Sequence, residues 1–114
     1  LQHEDGHSHI LASTIPNCIS YDPTFAHEVA VIIHHGLKRM VEQQDNVYFY
    51  LTLLNENYAQ PGLRPGTEDE IIRGMYLLQE GTSKKKDAPR VNLLGSGTIL
   101  RESIAAQELL DKDW

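Results

Sequence analysis

Apolar residues recur along this chain at two spacings, one helical and one of short unbroken runs, and they alternate in chain order. Asp22-Pro23 predicts a helix start, with Asp22 capping the free amides and Pro23 in the first helical position, where a missing N–H costs nothing. Phe25, Val29, Ile32, Ile33, Gly36, Leu37 and Met40 follow at helical spacing and define one buried stripe, so the helix is expected from Pro23 to about Glu42. Gly36 on that stripe implies close approach to a neighbouring backbone, as where a helix lies on a sheet. Val47 to Leu54 is aromatic, β-branched and apolar on both faces, the pattern of a strand covered on both sides in a parallel sheet.

Upstream, Leu1 to Ser20 reads as irregular, leading into a short edge strand around Ile15–Ile19, where Pro16 withholds a ladder donor. Downstream, Asn55 to Gly66 is a proline- and glycine-bearing connection. Thr67 and Glu70 match a capping box, and Ile71, Ile72, Met75 and Leu78 predict an amphipathic helix stopping at Gly81. The polar, lysine-rich stretch Thr82 to Pro89 is the expected domain boundary. Beyond it we expect a strand over Val91–Leu94, a tight turn over Gly95–Thr98 and a helix from Ile99 to Lys112. The order of elements is that of an α/β fold.

The chain has 114 residues, 40% of them hydrophobic and 23% charged, which suits a folded domain. Its formal charge of −6 argues against non-specific nucleic-acid binding, which needs a basic surface. Lys84, Lys85 and Lys86 form the one basic cluster, and we read it as solvated. No segment has the roughly 18 unbroken apolar residues of a membrane helix, and polar Leu1–His9 has no signal-peptide core. The single cysteine, Cys18, rules out an internal disulfide and fits a cytoplasmic location; we expect a buried, inert thiol. Leu1 in place of Met, and a helical pattern running to Trp114, lead us to expect an internal fragment of a longer protein.

Candidate chemistry centres on histidine. His3, His7 and His9 fall close together, and His3-Glu4-Asp5-Gly6-His7 matches the zinc-protease letters H-E-x-x-H. That motif needs a helix to put both imidazoles on one face, and Asp5 and Gly6 are poor helix-interior residues. A polar loop and a catalytic loop whose histidine exchanges a proton near neutral pH both remain open on the residues alone. By helical projection His27, His34 and Lys38 face away from the apolar stripe and are expected in solvent. Gly95-Ser96-Gly97 resembles part of a dinucleotide fingerprint, but Leu100 replaces the third glycine, so a tight turn is the expected reading.

Four stretches together carry a family resemblance: Leu1 to His9, Ile15 to Pro23, Leu54 to Tyr58, and Leu93 to Gly97. They resemble the decarboxylating first component of bacterial homodimeric pyruvate dehydrogenases, within the transketolase-like thiamine-diphosphate superfamily. The resemblance implies an α/β chain: residues 1–60 the C-terminal part of a pyrimidine-binding domain, 61–89 a connection with a short helix, 90–114 the start of the C-terminal domain. It implies a parent enzyme that uses thiamine diphosphate and Mg2+, bound mainly by residues outside this chain, to decarboxylate pyruvate. The two-carbon unit would pass to the lipoyl domain of an acetyltransferase partner. The resemblance also implies a homodimer with its site between subunits, and His3 as the residue facing the reacting carbons. The 114 residues alone would be inactive. The competing expectations are another transketolase-superfamily reaction, such as ketol transfer or another 2-oxoacid, and a histidine-rich metal-binding module.

Overall fold

The computed structural model describes residues 5–82, 87 and 89–113. Two four-residue strands, β1 (Cys18–Tyr21) and β2 (Tyr48–Leu51), pair in parallel, with Cys18 beside Tyr48 and Tyr21 beside Leu51. Parallel strands need a crossover, and here it carries the helix α2 (Ala26–Leu37), giving one βαβ unit. Pro16 lies outside β1, as a residue without a ladder donor should.

Helices cover both faces of this small sheet. On one face Gly36 of α2 lies against Phe49, where an added Cβ would come within 3.2 Å of the ring. Tyr21 stacks beside Phe49 with centroids 6.1 Å apart, and its hydroxyl donates to the carbonyl of Ile72 at 2.7 Å. On the other face sits α1 (Ser8–Ser13), whose His9 meets Tyr50 edge-on at 5.4 Å. That helix corrects the expectation of an irregular start. The Asp5 carboxylate accepts the Ser8 amide at 3.1 Å, satisfying one of the donors that a helix start leaves free.

Elsewhere the boundaries move, each for a local reason. The helix α2 begins at Ala26 rather than Pro23, with Phe25 as its N-cap. Its last turn widens into a π-helical turn over Lys38–Glu42, where the Gln43 amide reaches back to the Lys38 carbonyl. Gln44 at φ 55° then breaks the chain out of the helix. The next helix, α3 (Glu68–Ile72), is shorter than expected. Gly74 at φ 86° stops it well before Gly81, and the Thr67 hydroxyl donates to the Arg64 carbonyl instead of capping. Residues 91–94 form no strand, since among the described residues no neighbour offers them a ladder. The turn at Gly97–Thr98 leads directly into α4 (Ile99–Asp113), close to the expected span.

Among the described residues the buried apolar side chains are Ala12, Phe25, Ile32 and Ile71. Phe25, Ile32 and Ile71 mark a thin core between α2, α3 and the sheet, and Ala12 is the buried residue of α1 on the other face. β2 is only half-buried, not covered on both faces as its composition suggests, and Leu53 and Leu54 beyond it are exposed. No described helix is long and apolar enough to cross a membrane.

Candidate functional site

The C-terminal ends of β1 and β2 run directly into Asp22 and Thr52, which the parallel register brings side by side. The Thr52 amide donates to the Tyr21 carbonyl at 3.2 Å, so one more rung follows the last paired residues. The Thr52 hydroxyl donates its single proton to Asp22 Oδ1 at 2.5 Å. Its oxygen is then left to accept, and His9 Nε2 stands 2.9 Å away. Since the hydroxyl proton is already committed, His9 must carry its proton on Nε2 and donate it. The other carboxylate oxygen, Asp22 Oδ2, accepts the Ser96 hydroxyl at 2.8 Å, and the Asp22 carbonyl accepts the Gly97 amide at 3.0 Å. Both hydroxyl bonds end on a carboxylate, which makes them charge-assisted and stronger than neutral pairs.

Gly97 is required here on two counts. Its φ is +53°, and a Cβ there would lie 2.7 Å from Asp22 Oδ2. Its carbonyl accepts the Thr24 hydroxyl at 2.7 Å, which joins the Asp22 cluster to a second one at the start of α2.

That second cluster is built on buried Glu28. One of its oxygens accepts the amides of Thr24 and Phe25, at 2.6 and 2.8 Å, closing the N-terminus of α2 from within. The other accepts the Tyr76 hydroxyl at 2.6 Å. Burial, and then the bond to and charge of Glu28, push the Tyr76 phenol well above its ordinary value. His27 Nδ1 donates to the Pro61 carbonyl at 2.9 Å, and the Tyr58 hydroxyl donates to the Thr24 carbonyl. Arg101 of α4 lies over the Tyr58 ring at 4.5 Å and pairs with Glu56 at 3.0 Å. The long connection is therefore strapped around the first turn of α2 by polar contacts.

His3 and Glu4 lie outside the described residues, as do Lys84, Lys85 and Lys86. Asp5, Gly6 and His7 are exposed and precede α1. His34 is exposed as expected, but His27 is not: it is half-buried and bonded to the connection. Cys18 is half-buried rather than buried, and its sulfur beside the Tyr48 hydroxyl holds that phenol above its ordinary value. Asp22 was expected to cap α2 and instead ties Thr52 to the Gly97 turn.

The sequence reading gave no role to Thr52, Glu28 or Tyr76. Glu28 carries a usable signal, a glutamate in the first turn, but Phe25 occupies the cap position where Ser or Thr would complete the motif.

A diphosphate with its divalent cation needs converging oxygen ligands and a cavity of a few hundred Å3. Among the described residues no group of three His, Cys, Asp or Glu side chains can hold a metal ion. Two open grooves beside Phe25, of about 240 and 260 Å3, carry no such set. The described residues therefore do not themselves form a site for a metal-bound diphosphate cofactor.

Residues 1–61 match the family model described as "Pyruvate dehydrogenase E1 component middle domain". Over its whole length the chain is 59% identical to the pyruvate dehydrogenase E1 component of Pseudomonas aeruginosa and 58% identical to that of Cupriavidus necator. It is 57% identical to the Escherichia coli counterpart over 117 aligned positions. In each case 100% of this chain aligns with 13% of the relative. The chain thus spans about one eighth of the length of the curated relatives that it matches.

Proposed function

The chain belongs to the family of the pyruvate dehydrogenase E1 component, and from that premise we propose that it is a section of a thiamine-diphosphate enzyme that decarboxylates pyruvate. The observation that carries the reading is identity of 57–59% along all 114 residues, not confined to one motif. The acceptor of the two-carbon unit is the lipoyl group of an acetyltransferase partner, and the working unit is a cytoplasmic homodimer.

On this reading thiamine diphosphate and Mg2+ are bound mainly by residues beyond this chain. Residues 1–60 close the pyrimidine-binding domain, 61–89 connect, and 90–114 begin the C-terminal domain. His3 is the residue that faces the reacting carbons, where an imidazole can hydrogen-bond a substrate carboxylate or a developing oxyanion. The protein's task is placement and proton management around chemistry that the cofactor supplies.

The deciding experiment uses the full-length protein, assayed for CO2 release and lipoyl acetylation with pyruvate, other 2-oxoacids and ketose phosphates. Pyruvate should be the preferred substrate. His3→Ala should lower turnover on the order of 100-fold with cofactor affinity nearly unchanged. The 114-residue chain alone should show no turnover. Preference for a ketose phosphate would replace this reading with ketol transfer.

A further inference from the structure

We propose that Thr52 and Asp22 are positioning residues that hold the His9 imidazole, and with it the start of α1, over the C-terminal ends of the two strands. This rests on the reading of residues 1–9 as part of a decarboxylase site. The argument begins with how little else holds α1. It is six residues long with Ala12 as its buried side chain, while Ile10 and Leu11 face outward, 61% and 65% exposed. Apolar packing fixes it weakly, so its polar tie carries more of the burden.

That tie is directional. Asp22 takes the Thr52 proton at 2.5 Å, which makes Thr52 an acceptor toward His9 and fixes the proton on Nε2. Nδ1 is left unprotonated in the neutral ring and available as an acceptor. Asp22 is itself fixed from the opposite side by Ser96 and the Gly97 amide, so the carboxylate cannot swing to follow a displaced helix. The crevice outside the carboxyl ends of parallel strands is also where open α/β sheets present ligands. His9 therefore sits on an anchor whose far end is Ser96, 74 residues along the chain from Asp22. Through it His9 and the turn before α4 share one carboxylate.

The test compares Thr52→Val, Thr52→Ser and His9→Phe with the wild type in the full-length enzyme loaded with thiamine diphosphate. Valine keeps the shape of Thr52 without its hydroxyl, and phenylalanine keeps a ring without its donor. Amide exchange over residues 8–13 should quicken about tenfold in Thr52→Val and in His9→Phe. In Thr52→Val, kcat should fall by about the same factor, with KM for pyruvate and cofactor affinity within about twofold. Thr52→Ser should restore both readouts. Unchanged exchange in both Thr52→Val and His9→Phe overturns the proposal, as does faster exchange with unchanged kcat, or a serine variant that behaves like valine. Should Thr52→Val fold poorly, His9→Phe and Thr52→Ser still decide. A wild type that does not decarboxylate pyruvate sinks the functional reading instead, and the exchange contrast alone then judges the anchor.

Discussion

At Asp22-Pro23 the local signal for a helix start is strong, yet the carboxylate does something else. A cap bond to one amide competes with two hydroxyl donors that the fold brings to the same atoms, Thr52 at 2.5 Å and Ser96 at 2.8 Å. The free amides at Thr24 and Phe25 go to Glu28 instead. No rule of spacing reveals this, because Thr52 and Ser96 are 30 and 74 residues away from Asp22. Tyr76 is the residue whose chemistry is most altered by its surroundings. Its phenol is held neutral by burial and by Glu28, and burial raises Tyr21 as well. Above about pH 10 unfolded tyrosines lose their protons while these two keep theirs. The unfolded chain then binds fewer protons, so stability falls as pH rises above that point and continues to fall until the folded phenols ionise. Tyr76→Phe should flatten this alkaline loss, while costing about 1–2 kcal/mol near neutral pH through the lost bond to Glu28. Thermal melts of both proteins between pH 7 and 11 measure the two effects together.

Among the elements, α2 and its strands were legible and the later segments much less so. The helix has its own 3.6-residue period, and β1 and β2 have their own β-branched and aromatic runs. The buried line on α2, however, is Glu28, Ile32 and Gly36 beneath the Phe25 cap, whereas Ile33 and Leu37 of the expected stripe are 49% and 52% exposed. Half of that stripe meets the sheet and half faces outward. The expected strand at residues 91–94 failed because a strand is a pairing, and composition alone supplies no partner. The expected helix from Thr67 stopped early because Gly74 adopts positive φ, which its sequence position permits but does not require. Gly36 packs directly against the Phe49 ring of β2. Gly36→Ala improves helix propensity by about 1 kcal/mol but presses on Phe49, so it should be near neutral. Gly36→Val should lower stability by roughly 1–3 kcal/mol through overpacking. A fall in melting midpoint for the valine variant, partly recovered by Phe49→Leu, is the expected pattern.

Taken as a whole the chain is open. Its radius of gyration, 16.6 Å, exceeds the about 13 Å of a compact domain of this length. Ile10, Leu11, Val41, Leu53, Val91 and Leu94 are all exposed. Expressed alone, the 114 residues should bind a hydrophobic dye and unfold without a sharp transition, whereas a chain of the relatives' length should do neither. Dye fluorescence and calorimetry on the two proteins make the comparison. The sequence by itself determined what depends on near neighbours: the helical period of α2, the strand character of residues 48–51, the turn before α4, and a family resemblance spread over motifs from Leu1 to Gly97. Only the tertiary structure decided which carboxylate meets which hydroxyl, where His9 keeps its proton, and why Glu28 is buried. Those bonds close distances of 30 to 74 residues along the chain, or depend on burial between elements. Periodicity and capping rules act over a few residues and cannot register a partner that the chain must fold to reach.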